Sequence, residues 1–198
     1  MKLFYSPSSP FVRKVMACLI LRGLEGQVEL VSTNAHASPG ALLAANPLSK
    51  VPALLTEDGA AIYDSPVICE YLDGIGSAAP LFPAGPARIP ALVTQALADG
   101  LMDAAVARRM SDQLPQDEGR IAFSARQKAA VERGLAVLEQ APPQGLADIG
   151  AVAVACALGY LDFRFAQEPW REAHPKLAAW LASVAESPAI TRTAPPAA

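Results

Sequence analysis

Apolar and polar positions in the first third of the chain switch between two periods. Leu3-Phe4-Tyr5 is a short apolar run of strand length. From Pro10 to Arg22, the residues Phe11, Val12, Val15, Met16, Leu19 and Ile20 recur at helical spacing, and Gly23 supplies a C-cap. Gln27-Val28-Glu29-Leu30-Val31 alternates, which predicts a second strand. Strand, helix, strand with so short a crossover is a right-handed βαβ unit with parallel strands. A short helical piece over 41–45 lies between Ser38-Pro39-Gly40 and Asn46-Pro47. Lys50-Val51-Pro52-Ala53-Leu54-Leu55 is an apolar strand entered through a proline, which cannot donate to a ladder. An edge position or a cis Val51–Pro52 peptide reconciles the two. Glu57-Asp58-Gly59 turns the chain, and Ala60 to Tyr63 returns antiparallel. A second helix buries Val67, Ile68, Tyr71, Leu72 and Ile75 and ends at Gly74 and Gly76.

Residues 77–90 then break the pattern with four prolines. The division this predicts is an α/β domain over 1–77, a linker over 78–86 and an all-helical domain over 87–198. The helical part reads as a long helix from Ala87 to about Met110, a polar loop from Ser111 to Gly119, and a helix from Phe123 to Gln140. Ala147 to Ala166 is apolar nearly all round, as a helix at a bundle centre is. Pro175 to Glu186 is amphipathic, and the tail Thr193-Ala194-Pro195-Pro196 is irregular.

Two helix starts share one device. In Ser6-Pro7-Ser8-Ser9-Pro10, Ser9 is placed to cap the first helix, with Pro10 at its first position; Asp64-Ser65-Pro66 repeats this with Ser65 at the cap. A helix N-terminus offers unpaired N–H groups and partial positive charge. Arg13 and Lys14 add cations where the dipole disfavours them, which reads either as a solvated pair or as part of an anion site. If both helices leave the same end of one sheet, their N-termini can meet one ligand at two negative groups.

Composition narrows the function. Hydrophobic residues make up 52% of the 198, enough for a sizeable core, and the formal net charge of −3 with no Lys/Arg run above two argues against nucleic acid. The longest apolar stretch, Ile149 to Leu161, is too short for a membrane span, and no signal peptide pattern opens the chain, so a cytoplasmic location is expected. Cys18, Cys69 and Cys156 are scattered along predicted helices and read as reduced core thiols; with two histidines, no metal constellation is visible.

The layout as a whole, a thioredoxin-like βαβ-ββα domain, a proline-rich linker and a helical bundle, resembles the cytosolic glutathione S-transferase family. Tyr5-Ser6-Pro7-Ser8-Ser9-Pro10-Phe11-Val12-Arg13-Lys14-Val15 is similar to the active-site turn of its serine and cysteine classes. Asn46-Pro47-Leu48-Ser49-Lys50-Val51-Pro52-Ala53-Leu54 resembles the segment that holds the glutathione backbone, and Asp64-Ser65-Pro66 the acidic-Ser pair. Leu146-Ala147-Asp148-Ile149 through Arg164 resembles the central helix of bacterial members, especially the YibF-like branch; Gly145 stands where the family's capping box has Ser or Thr, which weakens that cap.

The resemblance implies the transferase activity: glutathione is a co-substrate, its thiol is held as a thiolate, and the thiolate attacks a small hydrophobic electrophile, in a detoxifying role. No permanent cofactor or metal is implied, and a homodimer is. Ser9 is the first choice of thiolate donor, Ser6 the second, and Tyr5 a chemical rival. Lys50, Val51, Pro52, Asp64, Ser65 and Asp99 would complete the glutathione site, Val51 through its backbone and Asp99 across the dimer. Phe11, Met102, Val106, Arg109 and Tyr160 are candidates for the co-substrate pocket. Two other functions compete. A glutathione-dependent thiol or peroxide reductase would want a cysteine in the turn, where only serines stand, and a non-catalytic glutathione-binding or regulatory protein could use the same fold.

Overall fold

The computed structural model describes residues 1–196. The chain folds as two units, one of Met1–Gly85 joined by the segment from Ser187 on, the other of Pro86–Glu186. The expected helical domain ran to the C-terminus; its last segment packs instead with the first unit.

In the first unit, β1 (Lys2–Tyr5) pairs in parallel with β2 (Glu29–Ser32) and antiparallel with β3 (Ala53–Leu55), which pairs antiparallel with β4 (Ala61–Ile62), giving the order β2-β1-β3-β4. The second strand starts two residues later than its alternation predicts, because Glu25–Gln27 winds into a 3₁₀ turn first. Helices α1 (Pro10–Leu21) and α3 (Ser65–Ile75) pack together, while the short α2 (Gly40–Ala45) sets Leu42 and Ala45 against Phe4 and Ala53. Arg22, just past α1, closes the far end: its Nε meets Asp73 Oδ1 at 2.9 Å and its Nη2 donates to the carbonyls of Asp73 and Gly76. Asp73 in turn accepts from the N–H groups of Leu81 and Phe82, tying down the chain leaving α3.

In the second unit, α4 (Arg88–Asp112) packs on α5 (Glu118–Gln140) and on α6 (Ile149–Arg164), with α7 (Trp170–Ala173) and α8 (Pro175–Val184) completing the bundle. Helix α5 begins before the expected Phe123, because Asp117 caps it by accepting from Arg120 N–H at 2.8 Å. Helix α6 is buried along nearly its whole length, as its all-round apolarity predicts. A Cβ at Gly150 would stand 2.7 Å from Ala91 O and 2.8 Å from Thr94 Cβ, so only glycine lets α6 start this close beside the start of α4. One helix, Gly85–Asp112, is long and apolar enough by length and composition to cross a membrane; in this fold it is packed against two helices of its own unit.

The tail over 193–196 has no helix or strand, as expected, and before it the segment from Ser187 carries a short helix, α9 (Pro188–Thr191), against α1. Arg13 donates to Ile190 O at 3.2 Å and Thr193 Oγ1 at 3.4 Å, so the cation that looked misplaced at the start of α1 fastens this segment. Lys14 is fully buried.

Candidate functional site

Register decides what comes together. Phe4 stands opposite Ala53, and Leu54 opposite Ile62. Because β3 runs against both neighbours, the exit of β1, the entry to β3 and the exit of β4 fall at one end of the sheet. The turn Ser6 to Ser9, the peptide Val51–Pro52 and the pair Asp64-Ser65 therefore share one rim.

The turn is built for Ser9. Its N–H donates to Ser6 O at 3.1 Å, and its extended backbone (φ −83°, ψ 124°) is that of an N-cap. Ser9 Oγ accepts from Val12 N–H at 3.3 Å. That bond uses a lone pair and leaves the hydroxyl proton free to donate. Ser6 and Ser8 are different: their hydroxyls face each other at 3.3 Å, so one of the two protons is spent between them. Tyr5 is half-buried at the end of β1, and Phe11 is half-buried in the first turn of α1.

The Val51–Pro52 peptide is cis, the second of the two expected solutions. Pro52 is buried, Val51 half-buried and Lys50 exposed. The segment before them is held by Asn46, which the sequence marked as a helix stop and as the first residue of the family-like segment, with no role of its own. Asn46 is buried, donates from Nδ2 to Lys50 O at 2.9 Å, and accepts from Leu48 N–H at 3.0 Å. An asparagine before a proline is a common turn signal, so nothing in the sequence separated this bracing role from the bland one.

At the third contact the expected cap is corrected. Asp64, not Ser65, is the N-cap of α3; Ser65 is the first helical residue and Pro66 the second. A proline at either early position is tolerated, so the pattern alone could not choose. The Asp64 carboxylate makes no capping bond. Asp64 is exposed and Ser65 buried.

The other predicted residues lie in the helical unit. Asp99 is half-buried on α4; Met102, on the same helix, is fully buried, so its side chain belongs to the core. Val106 and Arg109 are half-buried further along α4, and Tyr160 is 7% exposed on α6. Burial pushes the Tyr160 phenol up, opposed by the charges of Arg164 and Arg109. The helical unit also has an open groove of about 380 Å³, lined among others by Arg108, Glu168, Phe165 and Trp170, none of them predicted as site residues. Among the described residues no group of three or more His, Cys, Asp or Glu could hold a metal ion.

Cys18, the cysteine nearest the turn, is fully buried. Its thiol donates to Cys69 O at 3.8 Å. Its hydrogen bonding with Cys69 and its burial push the thiol's pKa well up, so it is a poor nucleophile.

Comparison with known proteins agrees with this fold. A family model described as the N-terminal domain of glutathione S-transferase matches residues 8–75, and one described as its C-terminal domain matches residues 103–183. The chain is 32% identical over 202 residues to the uncharacterized GST-like protein YibF of Escherichia coli K12, covering 99% of each. Among solved structures it resembles a glutathione transferase family member from Pseudomonas fluorescens Pf-5 with bound glutathione, at 42% identity over 98% of each chain and a TM-score of 0.90. The structure of that family member with bound S-(propanoic acid)-glutathione gives 41% identity, 98% and 99% coverage and a TM-score of 0.88. A glutathione S-transferase from Methylobacillus flagellatus KT with glutathione bound is 34% identical over 98% and 99% of the two chains, with a TM-score of 0.89.

Proposed function

The chain belongs to the glutathione S-transferase family, and on that premise we propose that it binds glutathione at the rim of its first unit and transfers the glutathionyl group to a small hydrophobic electrophile. The observation that carries this is the gathering of Ser9, Val51–Pro52 and Asp64-Ser65 at one sheet end. Those are three unlike contacts for a tripeptide with a thiol, a peptide backbone and a charged γ-glutamyl end. Val51 offers backbone groups for a strand-like pairing with the cysteinyl unit. The start of α3 offers first-turn N–H groups to the γ-glutamyl carboxylate, and Asp64 faces its ammonium. Lys50 is free to meet the glycine carboxylate. The glutathione carried by solved relatives supports the same reading.

In the reaction the glutathione thiol loses its proton to solvent and the Ser9 hydroxyl donates to the sulfur anion, aided by the positive end of α1. A C–S bond forms with the electrophile, and a leaving group departs or a double bond takes up the electrons. The protein supplies thiolate stabilisation and proximity. A reductase working through its own cysteine is disfavoured by the burial of Cys18. The proposal includes a homodimer, with Asp99 reaching the partner's glutathione, and a cytoplasmic location.

The test is retention on immobilised glutathione together with thiol-dependent turnover of a generic aryl halide. Retention without turnover of any electrophile, and with no lowering of the bound thiol's pKa, would leave only a binding protein.

A further inference from the structure

The open groove of about 380 Å³ in the helical unit lies among residues that the proposed reaction does not use. Its walls come from α4, α5, the end of α6 and the chain running on through α7. None of Phe11, Met102, Val106, Arg109 or Tyr160, the residues expected around the co-substrate, lines it. Its volume falls among those of small-molecule sites, roughly 300–1,000 Å³.

The floor is apolar and aromatic. Leu135, Leu161, Phe165 and Trp170 are each buried and border the groove. The two rings are held in place. Trp170 Nε1 donates to Asp162 Oδ1 at 2.9 Å, and the Arg108 guanidinium lies 4.6 Å from the centre of the Phe165 ring. Arg108 grips Glu168 with both terminal nitrogens, Nη1 donating to Oε2 at 2.8 Å and Nη2 to Oε1, which ties α4 to the chain beyond α6. That chain is bonded within itself as well: Glu168 N–H donates to Phe165 O at 2.8 Å, and His174 Nδ1 to Trp170 O at 2.8 Å. A groove fixed in this way costs little ordering when a ligand enters.

The rim is charged. Glu168 answers two cations, Arg108 and, at 3.5 Å, Lys128. One positive charge is left over, and it belongs to Lys128, whose side chain is 46% exposed against 17% for that of Arg108. An exposed bridge of that length is worth little, and the ammonium has further protons to give. Glu132, one helical turn beyond Lys128 on α5, is exposed and, among the described residues, stands in no ion pair. A lysine and a glutamate four apart on a helix are neighbours, rooted about 5–6 Å from each other, and can pair; with the lysine first the pairing is the weaker one. Here Lys128 is turned to Glu168 instead. A surface lysine and glutamate are ordinarily just solvated. These two border the same cavity as four buried apolar side chains.

We infer that this groove binds an aromatic α-amino acid, with its carboxylate on Lys128, its ammonium on Glu132 and its ring against Leu135, Leu161 and Trp170. A zwitterion answers both rim charges at once, where a simple acid or a simple amine would leave one of them unmet. Each contact is a charge-assisted hydrogen bond. The site stands whether or not the chain conjugates glutathione.

The experiment titrates the full chain by calorimetry with L-phenylalanine. Beside it go 3-phenylpropionate, which lacks the ammonium, phenylalanine amide, which lacks the carboxylate, and L-alanine, which lacks the ring. Phenylalanine should bind with a Kd of about 1 mM or below, a modest affinity for so small a molecule. Phenylpropionate and the amide should each bind about tenfold more weakly, the scale of one charge-assisted contact, and alanine should give no measurable binding. Glu132→Gln should erase the advantage of phenylalanine over phenylpropionate, and Glu132→Asp should restore part of it. Lys128→Gln should erase the advantage over the amide. Both positions are exposed, so denaturant midpoints should match that of the wild type. Saturating glutathione should leave phenylalanine binding unchanged. No binding of phenylalanine, equal affinities for the three ring compounds, binding of alanine as tight as that of phenylalanine, preferences that survive both glutamine variants, or displacement by glutathione would each overturn the inference.

Discussion

The starts of α1 and α3 look alike in sequence, each with a serine directly before a proline. In the structure they are opposites. Ser9 is the cap of α1 and its oxygen is bonded to Val12 N–H. Ser65 lies inside α3, and the true cap, Asp64, leaves its carboxylate uncommitted. One end satisfies itself and keeps a single proton to give. The other keeps its first-turn donors and a free carboxylate. A thiolate needs one well-placed donor, whereas an amino acid end needs an anion site and a cation site side by side. On the proposed function, the difference between the two ends matches the difference between those ligands.

The largest break in this comparison comes from Ser9→Ala. It removes the proposed donor to the sulfur, and kcat/KM should fall on the order of a hundredfold, as loss of one oxyanion donor does. The rise of kcat/KM with pH should also move up toward the free thiol's pKa of about 8.5. Ser6→Ala should leave both nearly unchanged, because the Ser6 hydroxyl is engaged with Ser8. Steady-state kinetics across pH checks this; a Ser6 effect larger than that of Ser9 would reverse the assignment.

Next in size is the α3 end. Asp64→Asn keeps the shape and removes the charge facing the ammonium. We expect the glutathione KM to rise about tenfold, the value of one charge-assisted hydrogen bond, with kcat little changed. A fall in kcat at unchanged KM would mean that Asp64 acts on the reaction and not on binding.

How much of this could be read in the sequence follows from what kind of physics each feature used. The βαβ unit, the turn with Ser9 at its cap and the buried helix around Val152 to Leu158 were legible, because period and capping are local. The choice between Asp64 and Ser65 as cap was not, since proline fits either early helical position. The bracing by Asn46 was not, because its partners are loop backbone groups whose geometry no pattern encodes. Arg13 was legible as an oddity with two open readings, and neither gave its partners, Ile190 and Thr193, which lie 177 and 180 residues away.

The smallest effect isolates capping from chemistry. Asp148 caps α6 as a cap should, accepting from Ala151 N–H at 2.9 Å. This cap stands although Gly145 deprives it of the reciprocal hydroxyl. Asp64 occupies the same position on α3 without the bond. Asp148→Ala should therefore cost about 1 kcal/mol of stability. Asp64→Ala loses only the interaction of a charge with the helix dipole and should cost no more than about 0.5 kcal/mol. Denaturant midpoints of the two variants, measured without glutathione, give the comparison directly. An equal loss at both sites would mean that the Asp64 carboxylate caps α3 in solution, and would withdraw it from the ligand it is proposed to meet.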